Sequence, residues 1–198
     1  MPLLTLEPFV HPETLLCSDE LPDVDEGSWW VLHTRPRAEK ALARRLLGRN
    51  ISFFLPLYKR QWRSNNRQFN SYLPLFSGYL FLHGQNQDRV HALETNMVAR
   101  TLKVEDQAQF HSDLARVHQM LVAGVTIAPE DRLQPGKFVE IISGPMVGMQ
   151  GKILARDKKM HFFIEVQFLQ RGVSVEIESW MIRPVAPPAP LLTAAARA

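Results

Sequence analysis

The chain has 198 residues, 45% of them hydrophobic and 22% charged, with a net charge of +3 and a single cysteine, Cys17. Those values exclude a disordered tail, a disulfide framework and a cysteine-based zinc site, and leave room for one large domain or two small ones. No stretch approaches the roughly eighteen consecutive apolar residues that cross a bilayer, and the start lacks the basic-then-apolar run of a secretory signal. A reducing, cytoplasmic setting without membrane contact is expected.

Residues 1–27 hold four prolines and a cluster of acids with no sustained period, which reads as a flexible acidic lead-in. The run SWWVLHT is aromatic and β-branched and predicts a strand over 29–34. Pro36 suits the first turn of a helix, and Ala38, Ala41, Leu42 and Leu46 follow at helical spacing until Gly48 and Asn50. ISFFLPLYK predicts a second strand, RQWRSNNRQFN a polar hairpin tip, and residues 72–82 a third strand. A short helix over 87–94, a strand over 98–104 and a helix over 106–122, with Phe110, Leu114, Val117 and Leu121 on one stripe, complete this half. The order is that of an α+β sandwich, helices packed on an antiparallel sheet.

The stretch GVTIAPEDRLQP has two prolines and no period and reads as a linker. Beyond it, several alternating runs separated by glycine-rich turns predict a small β-barrel, and the Pro/Ala-rich end reads as a flexible tail. The expected divisions are lead-in 1–27, first domain 28–123, linker 124–134, barrel 135–185 and tail 186–198.

Charge is distributed unevenly. Between 29 and 68 the bases Arg35, Arg37, Lys40, Arg44, Arg45, Arg49, Lys59, Arg60, Arg63 and Arg67 face Glu39 alone, a footprint for a polyanion or simply a solvated helix face. The acids of the lead-in could fold back on that surface and mask it. The seven histidines have no metal-ligand spacing, there is no glycine-rich phosphate loop, and no serine or acid has nucleophile context. The expectation is a binding protein with no catalytic residue, cofactor or metal.

Third-strand residues Leu73, Leu75, Phe76, Tyr79, Leu80, Phe81 and Leu82 would make both faces of a sheet apolar, so something has to cover the second face. The stretches WWVLHTRPRAEKAL, FFLPLYKRQW, PLFSGYLFL and PGKFVEIISGPMVGMQGKIL together resemble the NusG family of transcription elongation factors from about 29 to 185. The resemblance implies an NGN α/β sandwich joined by a short linker to an SH3-like KOW barrel. It implies a monomer that binds the β′ clamp helices of RNA polymerase through an aromatic sheet surface, here Trp30, His33, Phe76, Tyr79, Phe81 and Val104, suppressing pausing or termination. Without the resemblance, Phe76, Tyr79 and Phe81 read as simply core, and Trp29 is assigned to packing.

The basic hairpin resembles that of specialised, operon-specific members more than the general factor. On that basis Arg35, Arg37, Lys40, Arg44, Lys59, Arg60, Trp62 and Arg63 are the residues expected to touch the non-template DNA strand, the arginines on phosphates and Trp62 by stacking. In the barrel, Phe168, Leu169 and Arg171 match the loop that contacts a small-subunit ribosomal protein or Rho. Ser77 stands where many relatives have Pro, and Gln170 where they have Gly. The rival reading is a KOW-type RNA-binding or ribosome-associated protein that acts without polymerase.

Overall fold

The structure, a computed structural model, describes residues 8–17, 27–64, 67–130, 136–156 and 159–186. All strand pairings are antiparallel, in a five-stranded sheet, a six-stranded barrel sheet and a two-stranded ribbon. The fold is an α+β sandwich, helices packed on an antiparallel sheet, followed by a small antiparallel β-barrel, as expected.

In the first sheet the order is β1 (Val10–His11), β3 (Ser52–Phe54), β6 (Tyr79–Gly84), β2 (Ser28–Thr34) and β7 (Val98–Lys103). Alternation along β2 and β6 sorts their side chains. Leu32, Leu80 and Leu82 go to one face with Leu42, Ala43 and Leu46 of α1 (Glu39–Leu47) and Ala92 of α2 (Asn86–Glu94). Trp29, Val31 and Phe81 go to the other, with Phe110, Leu114 and Val117 of α3 (Gln107–Val122). Asp106 caps α3 by accepting from the Gln109 amide at 2.9 Å.

Local chemistry redraws several expected boundaries. Pro36 lies in a turn rather than the first turn of α1, because Arg37 takes φ +62° and a left-handed residue cannot continue a right-handed helix. The expected second strand divides at Pro56 into β3 and β4 (Leu57–Ser64), and the third divides into β5 (Arg67–Pro74) and β6, with β4 and β5 forming the ribbon.

Two segments expected to lack structure are built into the core. Within the lead-in, β1 pairs with β3, and Leu15 and Leu16 on a 3₁₀ turn (Glu13–Leu16) are buried in the cluster that contains α3. Their apolar side chains supply burial that the acids and prolines around them conceal. Of the lead-in acids only Glu13 lies in a described segment, so the expected masking of the basic surface falls outside the described residues. Inside the expected linker, β8 (Ile127–Glu130) pairs with β12 (Arg171–Ile177) and sends Ile127 into the apolar cluster. Four residues are too few to register as a period.

The barrel runs β13 (Ile182–Pro184), β9 (Lys137–Ile141), β10 (Gln150–Arg156), β11 (Lys159–Val166), β12, β8. Gly151 is required where β10 crosses β11: a Cβ there would stand 2.6 Å from the Phe163 carbonyl oxygen and 2.8 Å from the Phe162 ring.

Candidate interaction surface

The second apolar face of the first sheet is covered from within the chain. Phe81 and Phe76 meet edge to face at 5.9 Å, and Phe81 meets Phe110 of α3 at 5.6 Å. The cover continues into the barrel, where Phe168 on a 3₁₀ turn (Gln167–Leu169) sits 5.6 Å from Phe110 at 71°. Buried apolar residues of both parts form one continuous cluster.

The six residues expected to face polymerase therefore occupy three environments. Phe76, Phe81 and Val104 are buried at 2%, 0% and 2% exposure. Trp30 lies on the opposite face, against the leucine cluster, with the Arg89 guanidinium of α2 stacked 5.1 Å from its ring. Strand alternation made this inevitable, since Trp30 is one residue out of phase with Trp29 and Val31. His33 and Tyr79 remain half-buried and pair edge to face at 5.3 Å, at the end of β2 and the start of β6. Trp29 is fully buried, donating from Nε1 to Nδ1 of His111 at 3.2 Å.

The barrel residues expected to bind a second partner meet the same region. The Arg171 guanidinium lies 5.5 Å from the Tyr79 ring, Phe168 touches α3, and Leu169 packs against the shared cluster. Beside this contact lies a cleft of about 420 Å³ lined by residues that include Lys103, Val104, Phe110, Asp113, Phe168 and Gln170. Gln170 takes φ +54°, a left-handed conformation that a side chain disfavours.

Of the expected nucleic-acid residues, Arg35, Arg37, Arg44, Lys59 and Arg60 are exposed and Lys40 is half-buried. α1 and the base of the ribbon share the leucine cluster through Leu42, Leu46 and Leu57, which brings the two basic elements to one side of the sheet. The side chains of Trp62 and Arg63 lie outside the described residues.

The buried polar groups on the aromatic face are mostly histidines. Burial, and next to it the charge of His111, lowers the pKa of His83. Burial also lowers that of His118, against a smaller raising effect of its hydrogen bond to the Leu16 backbone. Sequence spacing gave no sign that His83 and His111 converge on Trp29, because the three belong to β6, α3 and β2. Among the described residues no group of three or more His, Cys, Asp or Glu side chains could hold a metal ion, and no helix is long and apolar enough to cross a membrane.

Residues 27–120 match the family model described as transcription termination factor NusG. A solved structure titled "Domain interaction in Thermotoga maritima NusG" is 14% identical, covers 83% of this chain and 100% of its own, and superposes with a TM-score of 0.47. No curated protein matches the sequence.

Proposed function

We propose that this chain, NusG-like over residues 27–120 and so of the elongation and termination class of transcription factors, is a specialised elongation and antitermination factor. In this reading the His33–Tyr79 end of the aromatic face engages the β′ clamp helices of RNA polymerase, with Phe76, Phe81 and Val104 forming the buried floor beneath. Phe168, Leu169 and Arg171 recruit the second partner, a small-subunit ribosomal protein or Rho. The basic residues of α1 and the ribbon hold the non-template strand, chiefly through phosphates.

One observation carries the reading: in the half-buried aromatic pair at the strand ends, the Tyr79 ring has the Arg171 guanidinium of the barrel 5.5 Å from it. A surface that the chain covers with a separate barrel is a surface that a partner can take over. Polymerase and barrel would compete for Tyr79, and only a difference in affinity between the two arrangements can shift their balance. The chain would act by binding energy, favouring the elongating polymerase over the paused one.

The test is capture of core RNA polymerase by wild type, Tyr79→Ala and Arg171→Ala. Loss of an aromatic anchor is expected to weaken capture by about 2 kcal/mol, roughly thirtyfold. Arg171→Ala, which uncovers Tyr79, is expected to bind at least as tightly as wild type. A folded Tyr79→Ala variant that binds like wild type would overturn the assignment.

A further inference from the structure

The chain leaves β5 at Pro74 and re-enters the sheet at Tyr79, so the turn over 75–78 decides where Tyr79 and the His33 ring beside it stand. That turn is held at Gly78 from both sides. The Gly78 carbonyl accepts from the Thr34 amide at 2.8 Å, where the pairing of β2 with β7 shifts register between His33 and Thr34. The Gly78 amide donates to Oε1 of Glu39 at 2.9 Å. Gly78 itself has φ +83°, and a Cβ there would meet Nε2 of His33 at 3.7 Å.

Glu39 is an unusual carboxylate. It is the first residue of α1, where an acid ordinarily faces solvent and complements the helix dipole, yet it is only 6% exposed. The helix gains no side-chain cap from Ala38 before it. A carboxylate is withdrawn from water at a high cost unless a donor meets it, and the donor here is an amide in a different element. Its placement therefore serves the turn as well as the helix.

The geometry points to Glu39 as the positioning residue for the polymerase-facing aromatic pair: by fixing the Gly78 amide it sets the 75–78 turn, and through that turn the Tyr79 and His33 rings. The inference rests on the reading of Tyr79 given above. It also ties the pair to α1, the helix that carries Lys40 and Arg44 of the basic surface.

The experiment compares wild type, Glu39→Ala and Glu39→Gln by hydrogen exchange at the Gly78 amide, polymerase capture and thermal unfolding. Glu39→Ala is expected to lose about tenfold in Gly78 protection and about tenfold in polymerase affinity, with Glu39→Gln keeping both because its amide oxygen still accepts. If Glu39→Ala does not fold, Gly78→Ala serves in its place: its strained backbone displaces the turn with Glu39 intact, and the same loss of affinity is expected. Unchanged Gly78 protection in Glu39→Ala, or equal losses in the Gln and Ala variants, overturns the proposal. If wild type captures no polymerase, the function reading fails by itself. Gly78 exchange and the His33–Tyr79 ring contact, followed by nuclear Overhauser effects, then decide whether Glu39 sets the pair.

Discussion

The two faces of the first sheet are built from different materials. One is mainly aliphatic, packing Leu32, Leu42, Leu46, Leu80 and Leu82 with Ile51, Val98 and the ring of Phe53, and it closes beneath α1 and α2. The other packs Trp29, Phe54, Phe76, Phe81 and Phe110 and continues through α3 into Ile127, Phe162 and Ile164 of the barrel. Aliphatic side chains fill volume without directional preference, so the first face is complete once two helices cover it. Rings prefer edge-on partners, and a ring at the margin of such a cluster presents an edge or face that another ring or a guanidinium can take. Phe110 and Tyr79 do so with Phe168 and Arg171.

Truncation in either face would test whether the difference is energetic or one of connectivity. Phe81→Ala is expected to destabilise by about 3–5 kcal/mol and Leu80→Ala by about 2–5 kcal/mol, measured by urea unfolding. The two faces separate only if Phe81→Ala also loosens the barrel, read as changed amide shifts around Phe168, while Leu80→Ala leaves those shifts alone. Equal barrel effects would erase the distinction.

Acid should act on the aromatic face through His83 and His118. Both have folded-state pKa values below the ordinary one, so the unfolded chain takes up protons first as pH falls. Stability is therefore full above the unfolded value near 6.5 and is lost below it, by at most about 1.4 kcal/mol per pH unit for each histidine. Unfolding at pH 7.5 and 5.5 is expected to show a larger drop for wild type than for His83→Gln; identical drops would remove His83 from the account.

A smaller effect is expected from Phe168→Ala. Losing the ring pair with Phe110 should weaken barrel docking by about 1 kcal/mol while both folded parts persist, visible as a larger radius of gyration in solution scattering. Gln170→Gly relieves a left-handed side-chain residue and is expected to stabilise by about 0.5–1 kcal/mol in thermal unfolding. The exposed Arg49–Glu94 pair at 3.7 Å, on the aliphatic side, should yield the least, under about 0.5 kcal/mol for Glu94→Ala.

Much of the fold is legible in the sequence because period and composition agree. SWWVLHT alternates and is a strand, the Phe110–Leu121 stripe recurs at helical spacing and is a helix, and the glycine-rich alternating runs close a barrel. Short segments were not legible. β1 has two residues and β8 four, too few for a period, and each is ordered by the neighbour it pairs with. The aromatic residues were found, yet their division was not. Phe81 at 0% exposure and half-buried Tyr79 are the same kind of residue on the same face of one strand, but Phe81 meets Phe110 of α3 while Tyr79 meets His33 and Arg171, partners that no local pattern encodes. Glu39 read as a lone acid among bases because its partner, Gly78, lies 39 residues away.

The pairing of β8 with β12 shortens the leash between the two parts. With α3 ending at Val122 and β8 beginning at Ile127, four residues, 123 to 126, are left to span any separation, a reach of roughly 14 Å when fully extended. A barrel held that close meets Tyr79 at an effective concentration in the millimolar range. The ring contact and the stacked guanidinium, added to the shared apolar cluster, can then keep Tyr79 covered, and an incoming partner has to outcompete a neighbour that never diffuses away.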